Sequence, residues 1–164
     1  MSELPDGARA VVVTASNRAA FGVYEDTSGR ALAEGLRELG FTVEGPHVRP
    51  DDAAELEIVL GQAIVGGADV VLTTGGTGLS PTDVTPEATR DILDRELLGI
   101  AEALRASGLA AGIIDAGLSR GLAGISGSTL VVNLAGSRYA VRDGMATLNP
   151  LVTKIIGQLS SLEI

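Results

Sequence analysis

The sequence predicts an α/β fold, a three-layer α/β/α sandwich around a mostly parallel, doubly wound sheet, and three observations predict it. Short runs of Val, Leu and Thr recur at residues 10–14, 69–74 and 129–134, the continuous apolar pattern of strands covered on both faces. Stretches with helical spacing separate these runs, and strands alternating with helices imply right-handed crossovers in a largely parallel sheet. Each run ends in small residues: Ala15-Ser16-Asn17, Gly75 to Gly78, and Ala135-Gly136-Ser137. Parallel strands point the same way, so these loops are expected to gather at one sheet edge and line a crevice there.

Residues 10–14, AVVVT, are the first central strand. Residues 15–27 read as a polar loop, and Ser28-Gly29 leads into a helix with Ala31, Leu32, Gly35, Leu36 and Leu39 at helical spacing and Gly40 as its stop. Residues 41–48 begin with alternation but contain Gly45 and Pro46, which points to a strand near an edge. Asp52 followed by Glu55 resembles a capping box and opens a helix with Leu56, Val59, Leu60, Ala63 and Ile64 on one face. Residues 69–74 then deliver the glycine loop. Thr85 as N-cap, Pro86 at the first helical position and Glu87 in the first turn start another helix. Its pattern continues through EATRDILDREL and, after a break at Gly99, through LGIAEALRAS to a stop at Gly108. Residues 109–128 are rich in Gly, Ala and Ser, and residues 111–118 are open between helical and extended structure. After the third strand a helix is expected from Arg138 to Leu148, with Pro150 interrupting it before a last helical stretch at residues 151–159.

A chain of 164 residues is expected to form a single domain, residues 1–164, burying roughly 70% of the surface that its unfolded form exposes. The formal charge is -9, from 12 basic and 21 acidic residues, which argues against nucleic acid held by counterion release. With two Phe, two Tyr and no Trp, no aromatic platform is expected on which bases could stack. The absence of Cys removes disulfides and thiolate metal sites, and a single His excludes a multi-histidine centre. No apolar run reaches the ~18 residues of a membrane span, and residues 1–10 lack a signal-peptide pattern, so a soluble, cytoplasmic protein is expected.

Gly75-Gly76-Thr77-Gly78 lacks the Lys of a P-loop and the spacing of a dinucleotide fingerprint. It reads either as a tight turn or as a nest of amides for an anion. Asp83 beside such a nest would repel a bare phosphate, and a divalent cation such as Mg²⁺ reverses that conflict. Asp51 reads either as a helix cap or as a second acid at the crevice. Ser119 and Asn133 carry groups able to bond a polar heterocycle or a phosphate, and equally suit turns or the surface. With no nucleophile and base set in view, the loops favour phosphoryl or nucleotidyl transfer, in which positioning and charge stabilisation supply most of the rate.

The combination of TTGGTGLSPTDVTPEAT with LSRGLAGISGSTLVVNLAGS resembles the MogA/MoaB family of molybdenum cofactor biosynthesis proteins, which includes the gephyrin G domain. The resemblance covers about residues 10–159. It implies Mg²⁺-dependent transfer of AMP from ATP to molybdopterin with release of pyrophosphate. It also implies a homotrimer, and transient contact with a molybdenum-insertion protein. Matched residue by residue, it implies Asp51 and Asp83 as the catalytic and Mg²⁺-handling acids. Ser16, Gly75, Gly76, Thr77, Gly78, Ser107, Ser119, Asn133, Gly136 and Ser137 then line the molybdopterin and ATP pocket. Arg120 and Arg138 are candidates to meet the substrates' negative charge. The chain departs from the family pattern at Asn17, Thr82 and Ala135, which leaves a non-catalytic molybdopterin carrier or assembly paralogue as the alternative.

Overall fold

The computed structural model describes residues 4–160. In chain order its elements are β1 (Arg9–Ala15), α1 (Asn17–Ala20), α2 (Thr27–Glu38), β2 (Thr42–Arg49), α3 (Ala53–Val65), β3 (Val70–Thr74), α4 (Thr85–Arg90), β4 (Arg95–Glu96), α5 (Leu98–Ala110), a 3₁₀ turn (Ile114–Leu118), β5 (Ala123–Ser126), β6 (Thr129–Leu134) and α6 (Arg138–Ser160). The strands form one sheet in the order β2-β1-β3-β6-β5-β4. β2, β1, β3 and β6 run parallel, and β5 pairs antiparallel with β6 and with β4.

The predicted sandwich is borne out, because the central strands are apolar on both faces and each face is covered. Val12, Leu72 and Val132 pack with Leu32 and Leu36 of α2, Ile100 of α5 and Leu148 of α6. Val11, Val13, Val71 and Val131 pack on the other side with Leu56 and Leu60 of α3 and Ala88 of α4. Burying each such side chain contributes about 1.5–3 kcal/mol, so no strand slip that exposed one of these faces would survive. The chain leaves β1 towards β2 by way of α2 and returns to β3 by way of α3 on the opposite face. The crossover direction therefore reverses between β1 and β3, and such a reversal opens a crevice at the carboxyl ends of the strands.

β2 is an edge strand, as Gly45 and Pro46 suggested. Gly45 adopts φ +102° where the register with β1 shifts, and a Cβ there would lie 2.5 Å from the Val12 carbonyl oxygen. Asp52 caps α3 by accepting the Glu55 N–H at 3.1 Å.

Four expectations are corrected, and one stretch that the sequence left open is resolved. The loop after β1 contains the single turn α1, capped by Ser16. The helical pattern after Pro86 stops at Arg90, because the Asp94 and Leu97 N–H groups bond the Ile125 and Ala123 carbonyls at 2.8 and 2.7 Å and draw residues 95–96 into the sheet. Gly108 lies inside α5, where its missing side chain admits Ala116, and the chain turns only beyond, at Gly112 with φ +86°. Residues 109–128, whose structure the sequence left open, hold the 3₁₀ turn and an unforeseen strand, β5. Finally, α6 is one helix through Pro150. Pro150 and Ala146 lie on the exposed side of the helix, away from the buried stripe Val141, Leu148, Val152 and Ile156, which continues on either side.

Pro150→Ala is expected to stabilise the protein by about 1–2 kcal/mol, the ~3 kcal/mol helix-interior cost of proline being offset in part by its restriction of the unfolded chain. A denaturant midpoint that stays put or falls would show that α6 is broken at this point.

Candidate active site

The three loops predicted to share an edge meet at Gly75. This residue has φ +93°, and a Cβ on it would lie 2.3 Å from the Ala15 carbonyl oxygen. Its N–H donates to the Leu134 carbonyl at 3.0 Å, and a Cβ on Gly136 would sit 3.2 Å from the Gly75 Cα. The ends of β1, β3 and β6 thus touch backbone to backbone, a contact only glycine permits. Two hydroxyls from neighbouring elements hold the β6 loop against the others, Thr74 donating to the Ala135 carbonyl at 2.9 Å and Ser28 to the Gly136 carbonyl at 2.7 Å.

Around this junction lies a cleft with two lobes. One, of about 490 Å³, has apolar walls from Leu79, Ala101, Leu104, Ile113 and Leu118, with Thr77, Ser119, Asp115 and Asp143 among them. The other, of about 450 Å³, is polar and includes Ser16, Asn17, Tyr24, Asp26, Asp51, Thr82 and Arg138. Gly75, Gly76, Asp83 and Gly136 line both. The Gly75 amide is engaged inside the protein, but no group among the described residues accepts the N–H of Gly76, Thr77 or Gly78. The anion nest is therefore one residue shorter than GGTG.

The two acids differ in their surroundings. The N–H of Asp51 donates to Asn17 Oδ1 at 2.8 Å, while its own Oδ1 is buried without a hydrogen-bond partner. Burial pushes its carboxyl above the usual aspartate value, the backbone N–H of Asn17 beside the carboxylate opposes this, and the charge of Asp83 raises it further. Because Asp52 does the capping, Asp51 is released to the crevice. Asp83 accepts the Ser80 N–H on Oδ2 at 3.0 Å and closes the loop on itself. Thr85 does not cap α4 as expected. Val84 occupies that position, and the Thr85 hydroxyl is buried and unpaired. Gly76, at φ +68°, lies between these orphans: a Cβ on it would be 2.2 Å from Thr85 Oγ1 and 3.2 Å from Asp51 Oδ1.

Arg120 is not available to substrate phosphates in the way the sequence suggested. Its side chain donates to the Gly78 and Asp83 carbonyls, both at 2.8 Å, and pairs with Glu87, whose carboxyl it holds below the usual glutamate value. Its N–H donates to the Thr77 carbonyl at 2.8 Å. One arginine therefore fastens the whole span from Thr77 to α4. Asn133 is likewise committed. It is 3% exposed, donates to Thr73 and Thr89 at 3.0 and 2.9 Å, and accepts the Leu122 N–H at 3.0 Å. Ser107 lines neither lobe and instead donates to Asp143, which does, at 3.1 Å. Ser137 lines the apolar lobe and accepts the Ala140 N–H at the start of α6. Tyr24, Asp143 and Asn17 were not singled out as site residues: the first sits in a loop, the second on a helix of ordinary pattern, and the third was noted only as a departure.

Residues 11–154 match the family model described as "Probable molybdopterin binding domain". The chain belongs to this MogA/MoaB family. It is 37% identical to a molybdopterin adenylyltransferase of Pyrococcus furiosus, over 94% of this chain and 92% of that protein. It is 36% identical to a molybdenum cofactor biosynthesis bifunctional protein of Synechococcus elongatus, over 89% of this chain but spanning only 46%, about half, of that protein's length. A solved structure of a molybdopterin biosynthesis protein from Mycobacterium abscessus superposes with a TM-score of 0.92 at 60% identity, covering 96% of this chain and 99% of that one. The family membership implied by the GGTG, DVTPEAT and VNL blocks is thus borne out. Among the described residues of this family member, no helix is long and apolar enough to cross a membrane.

The raised carboxyl of Asp51 has a signed consequence. Its contribution to stability is full below the ordinary aspartate value near 3.8 and is lost as the pH rises through the raised value, so near neutrality the ionised group opposes folding. Asp51→Asn is therefore expected to raise the urea midpoint at pH 7, with the gap closing as the pH falls below about 4. An equal gap at both pH values would show that Asp51 carries no such penalty.

Proposed function

We propose that the chain is a molybdopterin adenylyltransferase of molybdenum cofactor biosynthesis. The observation that carries this reading is the two-lobed cleft, whose lobes share a wall of glycine backbone beside a carboxylate oxygen with no partner. An oxygen of the molybdopterin phosphate forms a bond to the α-phosphorus of ATP. The bond from that phosphorus to the bridging oxygen breaks, and its electron pair leaves with pyrophosphate.

The protein's part is positioning and charge stabilisation. The N–H groups of Gly76, Thr77 and Gly78 bind phosphate oxygens at the shared wall, with Gly75 setting the turn. Thr77, Ser119, Gly136 and Ser137 orient molybdopterin in the apolar lobe. Ser16 belongs to the ATP side. Ser107 acts at one remove through Asp143, and Asn133 keeps β6 in place. Asp51 and Asp83 suit Mg²⁺: the described residues hold no cluster of three metal-ligating side chains, and Mg²⁺ asks for only one or two carboxylates, substrate phosphates completing its shell. Bound there, it would neutralise phosphate charge. The same reading carries a homotrimer, checked by mass in solution, a cytoplasmic location, and contact with a molybdenum-insertion protein.

The test is pyrophosphate release from ATP in the presence of molybdopterin and Mg²⁺. Asp83→Asn keeps an oxygen for the Ser80 N–H, so the loop holds its shape while the charge is lost. Turnover is expected to fall about 100-fold or more with molybdopterin binding retained. Turnover of this variant at the parental rate would remove Asp83 from the mechanism. A parental chain that binds molybdopterin but releases no pyrophosphate would be a carrier.

A further inference from the structure

The core is aliphatic, and of the chain's four aromatic side chains only Phe41 is buried; Phe21, Tyr24 and Tyr139 are all more than half exposed. Neither Phe21 nor Tyr139 lines the cleft. Tyr24 lines the polar lobe, in a cavity continuous with Asp51, Gly76 and Asp83.

Its ring is also held. The Tyr24 hydroxyl lies 3.0 Å from Ser16 Oγ, and Ser16 is itself fixed, accepting the Ala19 N–H at 3.2 Å and donating its own N–H to the Arg49 carbonyl at 2.9 Å. Just before the tyrosine, Gly22 at φ +76° makes the turn and the Val23 N–H closes it on the Arg18 carbonyl at 2.8 Å. A tyrosine 51% exposed, on the lining of a polar cavity and tethered at its oxygen, gives up less rotamer freedom on stacking than a free one.

We propose that Tyr24 is the stacking platform for the nucleobase of the nucleotide substrate, with the phosphates running inward along the polar lobe to the Gly76 amide. This rests on the reading of the chain as an ATP-using enzyme. It makes Ser16 a positioning residue, acting through the ring. It also corrects the expectation that the chain has no aromatic platform: the composition excludes a row of rings for successive bases, but one ring serves one base. The lobe, at about 450 Å³, is within the range of small-ligand sites, and the apolar lobe beyond the glycine wall is left to the pterin.

The absence of Trp makes the test direct. Tyr139→Phe leaves Tyr24 as the sole tyrosine, and this variant is titrated with ATP and, separately, with tripolyphosphate, which has the phosphates but no ring. ATP is expected to quench the tyrosine emission to saturation and tripolyphosphate to leave it unchanged. By calorimetry, Tyr24→Ala is expected to bind ATP about tenfold more weakly or worse, equivalent to about 1.4 kcal/mol. Tyr24→Phe is expected to stay within about twofold of the parent, and tripolyphosphate to bind Tyr24→Ala as it binds the parent. ATP binding without quenching, or equal ATP affinity in Tyr24→Ala, overturns the inference and leaves the proposed function standing. Equal loss of ATP and tripolyphosphate affinity in Tyr24→Ala makes the residue structural and overturns it too. A parental chain that binds no ATP sinks the proposed function, and the inference falls with it.

Discussion

The close approach of three strand ends at Gly75 is the contact on which the rest of the site depends. The reversal of crossover direction between β1 and β3 opens a crevice in any sheet of this order, but its width is set by how near the emerging loops come to one another. A positive φ and a carbonyl where a Cβ would be leave only glycine at this point. Thr74 and Ser28 then hold the third loop by its carbonyls, so the junction is fastened without using the amides of Gly76, Thr77 and Gly78.

An acidic chain proposed to hold two phosphate-bearing substrates cannot rely on a global positive field. The structure shows where local means lie. The N–H groups of Gly76, Thr77 and Gly78 have no acceptor among the described residues, and Arg120, which lines neither lobe, is consumed in bracing their loop, while Arg138 lines the polar lobe. Asp51 and Asp83 add negative charge at the same place, and Asp51 has no protein partner for one of its oxygens. Leaving a buried acceptor unpaired costs about 1–3 kcal/mol.

Much of this was legible because burial on both faces imprints itself on sequence. The runs at β1, β3 and β6 could be nothing but central strands, and small residues at their ends located the crevice. β4 and β5 were not legible: they are short, rich in small or charged residues, and exist because each lends hydrogen bonds to a neighbour. Pro150 misled because the sequence does not show that it falls on the exposed side of α6. The Asp52–Glu55 spacing marked Asp52 as the cap of α3, as the fold has it, but only the folded chain shows that the adjacent Asp51 is then left with a buried, unpartnered oxygen. Arg120 looked like an anion binder, and its carbonyl partners left no mark in the sequence. Tyr24 was passed over because a loop residue has no periodicity to betray its orientation.

Gly75, Gly76 and Gly136, which line both lobes with Asp83, leave no room for a side chain on the side away from the cleft. A Cβ on them would meet the Ala15 carbonyl oxygen at 2.3 Å, Thr85 Oγ1 at 2.2 Å and the Gly75 Cα at 3.2 Å, respectively. Any larger residue would therefore wedge the strand ends apart. Because reacting atoms need to come within roughly 3–3.5 Å of each other, a shift of that size at this junction would change the spacing of the two lobes, so the glycines act as the gauge that sets the width of the cleft.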